Sequence, residues 1–243
     1  MVSAVIVGTF AAACVPEGPS TGDARPAPVK ATAPAASARP NDGPGPLAAA
    51  TGVFEDAFDR AEIGPEWNAL SPKWRIQNGR LCARGVRNRG IWLKRAIPTN
   101  ARLEFDAYAE SAEGDLKAEL WGDGASGATG TSYTNATSYL AVLGGWKNSK
   151  HVLARLDEHG ADRLELDVEP GSDDERARPV EVGQGYHFKI ERVDGRTVEW
   201  SVNGAVFFRF VDADPLAGAG HDHVGFNEWD APVCFDNVRV TPL

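Results

Sequence analysis

RLDEHGADR, Arg155–Arg163, is the densest run of groups able to do chemistry in this chain. On an extended strand Arg155 and Asp157 share one face and Leu156 and Glu158 the other, and His159-Gly160 opens a turn. Arginines and carboxylates hold sugar hydroxyls through charge-assisted hydrogen bonds, and Glu158 or Asp157 beside His159 suits acid/base work. The alternative is a charged hairpin tip whose surface ion pairs contribute little. The second cluster is GHDHVGFNEW, Gly220–Trp229. If this segment is extended, His221 and His223 project from one face with Asp222 opposite, and Asn227 and Trp229 continue the same parity. Two imidazoles and a distant carboxylate suit a divalent metal, and Asp222 is an acid/base candidate beside Glu158 and His159. Asp236 is the carboxylate in question, either with that histidine pair or with Glu55 or Asp56 in an oxygen-lined calcium site between the terminal strands.

Seven tryptophans add a third kind of chemistry, since an exposed indole stacks on the apolar face of a sugar ring. Trp74, Trp92 and Trp200 sit at apolar strand parity and belong in a core. Trp121, Trp146 and Trp229 lie beside glycine or polar residues and are the platform candidates; LGGWKNSKH, Leu143–His151, reads as a flexible loop carrying Trp146 and Asn148 to a rim. GDGASG, Gly122–Gly127, satisfies G-x-G-x-x-G but has no helix after it to receive a pyrophosphate, so it reads as a loop. The chain has no P-loop, H-E-x-x-H, C-x-x-C or G-x-S-x-G motif.

The elements that must position these groups are strands. In ARLEFDAYAE, Leu103, Phe105, Ala107 and Ala109 alternate with Arg102, Glu104, Asp106 and Tyr108, which gives one core face and one wet face. YHFKIERV and TVEWSVNG repeat the pattern, and Asp194-Gly195 and Asn203-Gly204 supply tight hairpin turns, so a meander runs from about Tyr186 to Val211. Further strands are expected near Arg80–Arg84, Gly90–Arg95, Lys117–Trp121, Tyr139–Leu143, Val152–Asp157, His223–Phe226 and Val233–Val240. About a dozen short strands with no long helical pattern predict an all-β, two-sheet antiparallel sandwich over residues 53–243.

The first fifty residues carry an address. MVSAVIVGTFAAA, Met1–Ala13, is almost wholly apolar and ends in small residues before Cys14, the pattern of a lipoprotein signal peptide with Cys14 as the lipidated residue. It has no Lys or Arg ahead of its apolar run, so either the true start lies upstream or the export signal is a poor one. Residues 14–52 are rich in proline and alanine with few large apolar residues, and read as a disordered tether holding a domain off a membrane. Removing Cys14 leaves Cys82 and Cys234, which form a disulfide in an oxidising compartment or remain two buried thiols. The chain carries 34 acidic and 25 basic side chains, a net −9, which excludes a general nucleic-acid binder, and its 24% charged residues exclude a multi-span membrane protein.

FEDAFDR (Phe54–Arg60), Trp67, WRIQNGRL (Trp74–Leu81) and the closing GFNEWDAPVCFDNVRVTPL (Gly225–Leu243) together resemble the frame of the concanavalin A-like lectin/glucanase jelly rolls, in the form found in bacterial lipoprotein domains related to 3-keto-disaccharide hydrolases. The resemblance implies a jelly roll whose concave face handles carbohydrate; it assigns no reaction. The E-x-D-x-x-E pattern of a laminarinase-type glucanase is missing. The expectation is a monomeric, lipid-anchored envelope protein binding a glycan with Trp146, Arg155, Glu158, His159, Arg163, His221, His223, Asn227 and Trp229. A glycoside-processing enzyme, metal-assisted or not, and a structural or partner-binding domain are the alternatives.

Overall fold

The computed structural model describes residues 52–243; the signal segment, Cys14 and nearly all of the tether expected from the sequence lie outside the described residues. Chain order gives β1 (Phe54–Asp56), β2 (Trp67–Ala69), β3 (Arg75–Gln77), β4 (Arg80–Ala83), β5 (Ile91–Leu93), β6 (Ala101–Ala109), β7 (Leu116–Gly122) and β8 (Tyr139–Gly144). There follow β9 (Lys150–Arg155), β10 (Leu164–Asp167), β11 (Gly185–Arg192), β12 (Thr197–Val202), β13 (Ala205–Val211), β14 (His223–Asn227) and β15 (Val233–Pro242). One sheet runs β13-β12-β11-β6-β15-β4-β3 with β1 added on β15; the other runs β10-β9-β8-β7-β14-β5-β2. This is the antiparallel sandwich that the alternation predicts. Among the described residues no helix is long and apolar enough to cross a membrane.

The two sheets meet through an aromatic core. Phe226 of β14 stacks on Phe235 of β15 at 4.4 Å and edges onto Phe105 of β6 at 4.9 Å, while Phe105 stacks on Phe188 of β11 at 4.6 Å. Such pairs add roughly 0.5–1.5 kcal/mol each to the area they bury. Cys82 and Cys234, directly opposed on β4 and β15, are joined by a disulfide, with α-carbons 4.1 Å apart. The bond closes a separation of 152 residues, and loops of that length gain most from cross-linking, typically about 2–4 kcal/mol.

The outward faces of the two sheets differ, and that difference makes the site. The first sheet shows water a charged ladder in which Arg102 pairs with Glu191 (2.7 Å) and His187 with Asp106 (2.9 Å). The second sheet is buried on both faces along β7 and β8. Leu116, Ala118 and Leu120 point into the main core, and Lys117 and Glu119 point the other way without reaching solvent. The connection from β7 to β8, residues 123–138, folds back over that face and places Tyr133 and Ala136 against Leu140, Val142, Val152 and Ala154. GDGASG lies at its start, where the Asp123 carboxylate accepts the amides of Ala125 (2.9 Å) and Ser126 (2.8 Å), so the segment is a loop.

The terminal acids are engaged internally. Asp56 accepts from Arg60 (2.6 and 2.7 Å) and from the Trp67 indole (2.8 Å), Glu55 pairs with Arg239, and Asp236 lies 3.7 Å from Arg80. Each carboxylate of the expected calcium site therefore faces a guanidinium instead of a shared centre.

Candidate functional site

A cleft of about 550 Å³ opens on the second sheet where the folded-back loop stops short of the β7 start. Its walls carry Trp146, His159, Thr131, Ser132 and Trp229, and its floor carries Asn88, Asp115, Lys117 and Glu158.

Each wall residue is delivered by a local device. Gly144 (φ 70°) ends β8, and Trp146, Lys147 and Asn148 follow in a left-handed turn with φ of 50°, 59° and 62°. A β-carbon on Gly144 would meet the Asn148 Oδ1 and a Val180 methyl carbon at 2.7 Å, so the turn needs glycine there. Asn148 donates to the carbonyls of Ala112 (3.1 Å) and Val180 (2.8 Å) and accepts the Val180 amide (2.9 Å). The expected flexible loop is thus a fixed turn, and Asn148 is its staple, not a rim contact. Trp146 is held by the Arg163 guanidinium, which lies over its ring 4.8 Å from the centre, and by a T-shaped contact with His159 at 5.6 Å. Strand β9 ends at Arg155, and Leu156 turns with φ 62°. The Asp157 carboxylate then accepts the His159 amide (2.8 Å), so Glu158 swings inward and is buried while His159 stays exposed. Trp229 is fixed by its amide, which donates to the Asp115 carboxylate at 2.5 Å, and by Arg87 over its ring at 4.7 Å.

The floor is a buried charge network. The Lys117 ammonium, 1% exposed, lies 2.5 Å from Glu158 Oε1 and 3.8 Å from Asp115 Oδ1, and donates to Asn88 Oδ1 at 2.8 Å. Burial disfavours its charge, but the Asp115 and Glu158 carboxylates outweigh burial and lift its pKa above the ordinary lysine range. Asp115 is pushed upward by burial despite the nearby Lys117. Beneath them Glu119 accepts from Ser138 (2.6 Å), Asn227 (2.6 Å) and Tyr133 (3.0 Å), yet burial still raises its pKa to about 7. Glu228 is also raised to about 7 by burial; the Val86 amide donates to one oxygen, and the other finds no partner among the described residues.

Of the residues expected from the sequence, Trp146, Glu158, His159 and Trp229 converge on the cleft, Arg163 supports Trp146, and Asn227 lies below the floor on Glu119. Arg155 is not among them; it turns to Asp212 (2.7 Å) and the Asp214 carbonyl (2.7 Å). His221 sits in a turn before β14 with Nδ1 2.7 Å from the Thr137 carbonyl, so the pair is not extended as expected. His223 meets Asp222 at 2.7 Å and packs beneath Gly124, which places Asp222 at the opposite end of β14 from Trp229. Among the described residues the one trio of His, Cys, Asp or Glu ligand atoms within 4.8 Å is Cys82, Glu110 and Cys234, whose sulfurs form the disulfide; His221, His223 and Asp236 do not gather. Trp121, expected as a platform, is fully buried against Tyr139 at 5.9 Å. Sequence reasoning missed Asn88, Asp115, Lys117 and Glu119. The signal for two of them was the parity of β7, where Lys117 and Glu119 share a face with Asn227 of the neighbouring strand.

No protein-family model matches the chain, and no curated protein matches it. Several hundred solved chains share its fold. The carbohydrate binding module CBM66 from Bacillus subtilis has a TM-score of 0.52 at 16% identity, covering 73% of this chain and 97% of that one. The carbohydrate recognition domain of Emp47p has a TM-score of 0.54 at 11% identity, covering 83% and 99%. The laminarinase catalytic domain from Thermotoga maritima has a TM-score of 0.51 at 14% identity, covering 78% and 97%. The architecture is a concanavalin A-like jelly roll, and identities this low speak for the fold alone.

Proposed function

We propose that the domain binds a glycan in the cleft between Trp146 and Trp229. The observation that carries this reading is the pairing of two part-buried indoles with a floor of fixed donors and acceptors, Asn88, Asp115, Lys117 and Glu158. A pyranose offers an apolar ring face for the indoles and hydroxyls for the floor. The structural neighbours include a carbohydrate binding module, a carbohydrate recognition domain and a laminarinase catalytic domain, which supports this reading. Turnover is the weaker reading, because direct glycoside hydrolysis needs two carboxyls free to work on opposite sides of a bond, whereas Asp115 and Glu158 flank one ammonium.

A glycan array probed with the 243-residue chain, followed by calorimetry and mass spectrometry on every hit, tests this. Trp146→Ala and Trp229→Ala are each expected to weaken the best hit by about tenfold or more, as loss of a central aromatic anchor does. Unchanged affinity in both variants would remove the cleft from the binding reaction, and a product of altered mass would move the assignment to an enzyme. The Met1–Ala13 segment and Cys14 support the further reading of a lipid-anchored protein of the bacterial envelope. Cys14→Ser is expected to shift the chain from the membrane fraction to the soluble one after expression in a bacterium, and equal partition of both forms would exclude the anchor.

A further inference from the structure

A second cleft of about 620 Å³ adjoins the first, and its chemistry is different. The segment Val86–Gly90 is the ridge between them. Asn88 turns into the first cleft and is buried against Lys117, while its neighbours Arg87 and Arg89 are exposed and line the second. The ridge is pinned along its backbone: the amides of Arg87 and Asn88 donate to Trp229 (3.0 Å) and Glu228 (2.9 Å) carbonyls, and the Trp74 indole donates to the Arg89 carbonyl (3.0 Å). Thr131 borders both clefts, and Arg87 lies against the Trp229 ring. Across from the arginines stands Lys73, whose ammonium donates to the Gly85 carbonyl at 2.6 Å.

Lys73 and Arg89 line this hollow, and Arg87 stands at its border with the first cleft, its guanidinium over the Trp229 ring. Asp230 pairs with Arg87 at 3.2 Å and flanks Gly85 together with the Lys73 ammonium, so it offsets part of the charge of both. Arg89 is exposed at this hollow and makes no ion pair among the described residues, so its guanidinium is open to an incoming anion. Thr129 and Thr131 add hydroxyls at the same hollow.

Resting on the glycan reading of the first cleft, we infer that the second cleft is a subsite for an acidic substituent of that glycan, a carboxylate or a sulfate ester. The sugar stacks at Trp229, and the charged group of that residue or the next passes Thr131 to reach Arg87, Arg89 and Lys73. Planar, bidentate recognition by arginine suits both oxyanions. The hollow has the volume of a small-ligand site and no extended basic track, which favours one charged substituent over a long polyanion.

The test compares matched oligosaccharides by calorimetry with the whole chain: neutral, uronate-containing and sulfated, each at low and high salt. The charged forms are expected to bind about tenfold more tightly than the neutral backbone and to lose that advantage in high salt. The Lys73→Gln, Arg89→Gln double variant is expected to erase the preference and the salt dependence while leaving neutral-sugar affinity intact, which also certifies its fold. The uronate and sulfate arms decide between the two oxyanions. Equal binding of neutral and charged sugars, or charged-sugar binding unaltered in the double variant, overturns the subsite. A duplex oligonucleotide competing as well as the charged sugar overturns it too, since that is unspecific polyanion attraction. Absence of binding to all three sugar classes instead overturns the glycan reading on which the subsite depends.

Discussion

Replacing Lys117 by methionine is expected to destabilise the domain by about 3–5 kcal/mol, the range seen when one partner of a buried ion pair is removed. Methionine fills a similar volume, so the loss is electrostatic. Lys117 is 1% exposed and is the ammonium against Glu158 (2.5 Å) and Asp115 (3.8 Å), both largely buried. Without it two carboxylates share a low-dielectric floor, with Glu119 and Glu228 close behind, and Asn88 loses the donor on its Oδ1. The deficit is expected to shrink in acid. Asp115 already has a raised pKa in the folded state, and without its cation that pKa rises further. A carboxyl whose folded pKa exceeds its unfolded value destabilises the fold once pH passes the unfolded value, and the penalty disappears as pH falls back toward it. Urea unfolding at neutral and mildly acidic pH measures both effects. Adding Glu158→Gln to the methionine variant is expected to restore part of the stability, because the uncompensated charge is then gone. A loss under about 1 kcal/mol, or one independent of pH, would mean that water reaches the floor and screens it.

That network also marks the limit of what the sequence revealed. The strands of the first sheet were legible because they separate apolar and polar residues by parity: in β6, Leu103, Phe105 and Ala107 are buried and Arg102, Glu104 and Asp106 face solvent. In β7 the same alternation misleads. Lys117 and Glu119 have the spacing of solvent-facing positions; the return of residues 123–138, with Tyr133 donating at 3.0 Å, buries Glu119, and Glu158, Asp115 and Asn88 close over Lys117. A loop's path over a sheet depends on contacts distant in sequence, such as Ala128 with Asn88, so local pattern carries no trace of it. Glu158 and His159 were found because their cluster is dense. Their neighbour Arg155 was misplaced because the strand ends there: it stays at the parity of Leu153, on the core side, and meets Asp212. The histidine pair failed for a related reason, since i, i+2 spacing implies a shared face only in an extended segment and His221 precedes β14 in a turn.

Stability is expected to be greatest at about pH 5 and to fall by roughly 3 kcal/mol on going to about pH 8, the opposite of a protein dominated by surface carboxylate pairs. Burial raises Glu119 from 4.5 to about 7, overcoming the donors Ser138, Asn227 and Tyr133, and it raises Glu228 from 4.5 to about 7. Between those values the folded state keeps two protons that the unfolded chain has released, so stability is lost as pH rises through the window. His151 opposes them: burial lowers it from 6.5 to about 4, so below 6.5 the unfolded chain binds a proton that the folded state refuses. From pH 8 downward the glutamates act first, and below about 6.5 the histidine cancels one of them, leaving a slope near 1.4 kcal/mol per pH unit. In more acidic solution Asp56 and Asp212, whose pKa values are lowered through hydrogen bonds from Arg60 and Tyr139 against the effect of burial, lose their contribution and the curve turns over. Glu119→Gln removes one of the two protons; its single side-chain oxygen can accept from Ser138 or from Asn227 but not from both, because the two donate to different oxygens of Glu119. Its unfolding free energy should therefore be nearly flat between about pH 5 and 6.5, where Glu228 and His151 balance. Urea titrations of both proteins across this range decide the matter, and a parent whose stability climbs from pH 5 to pH 8 would show that both glutamates are ionised in the fold.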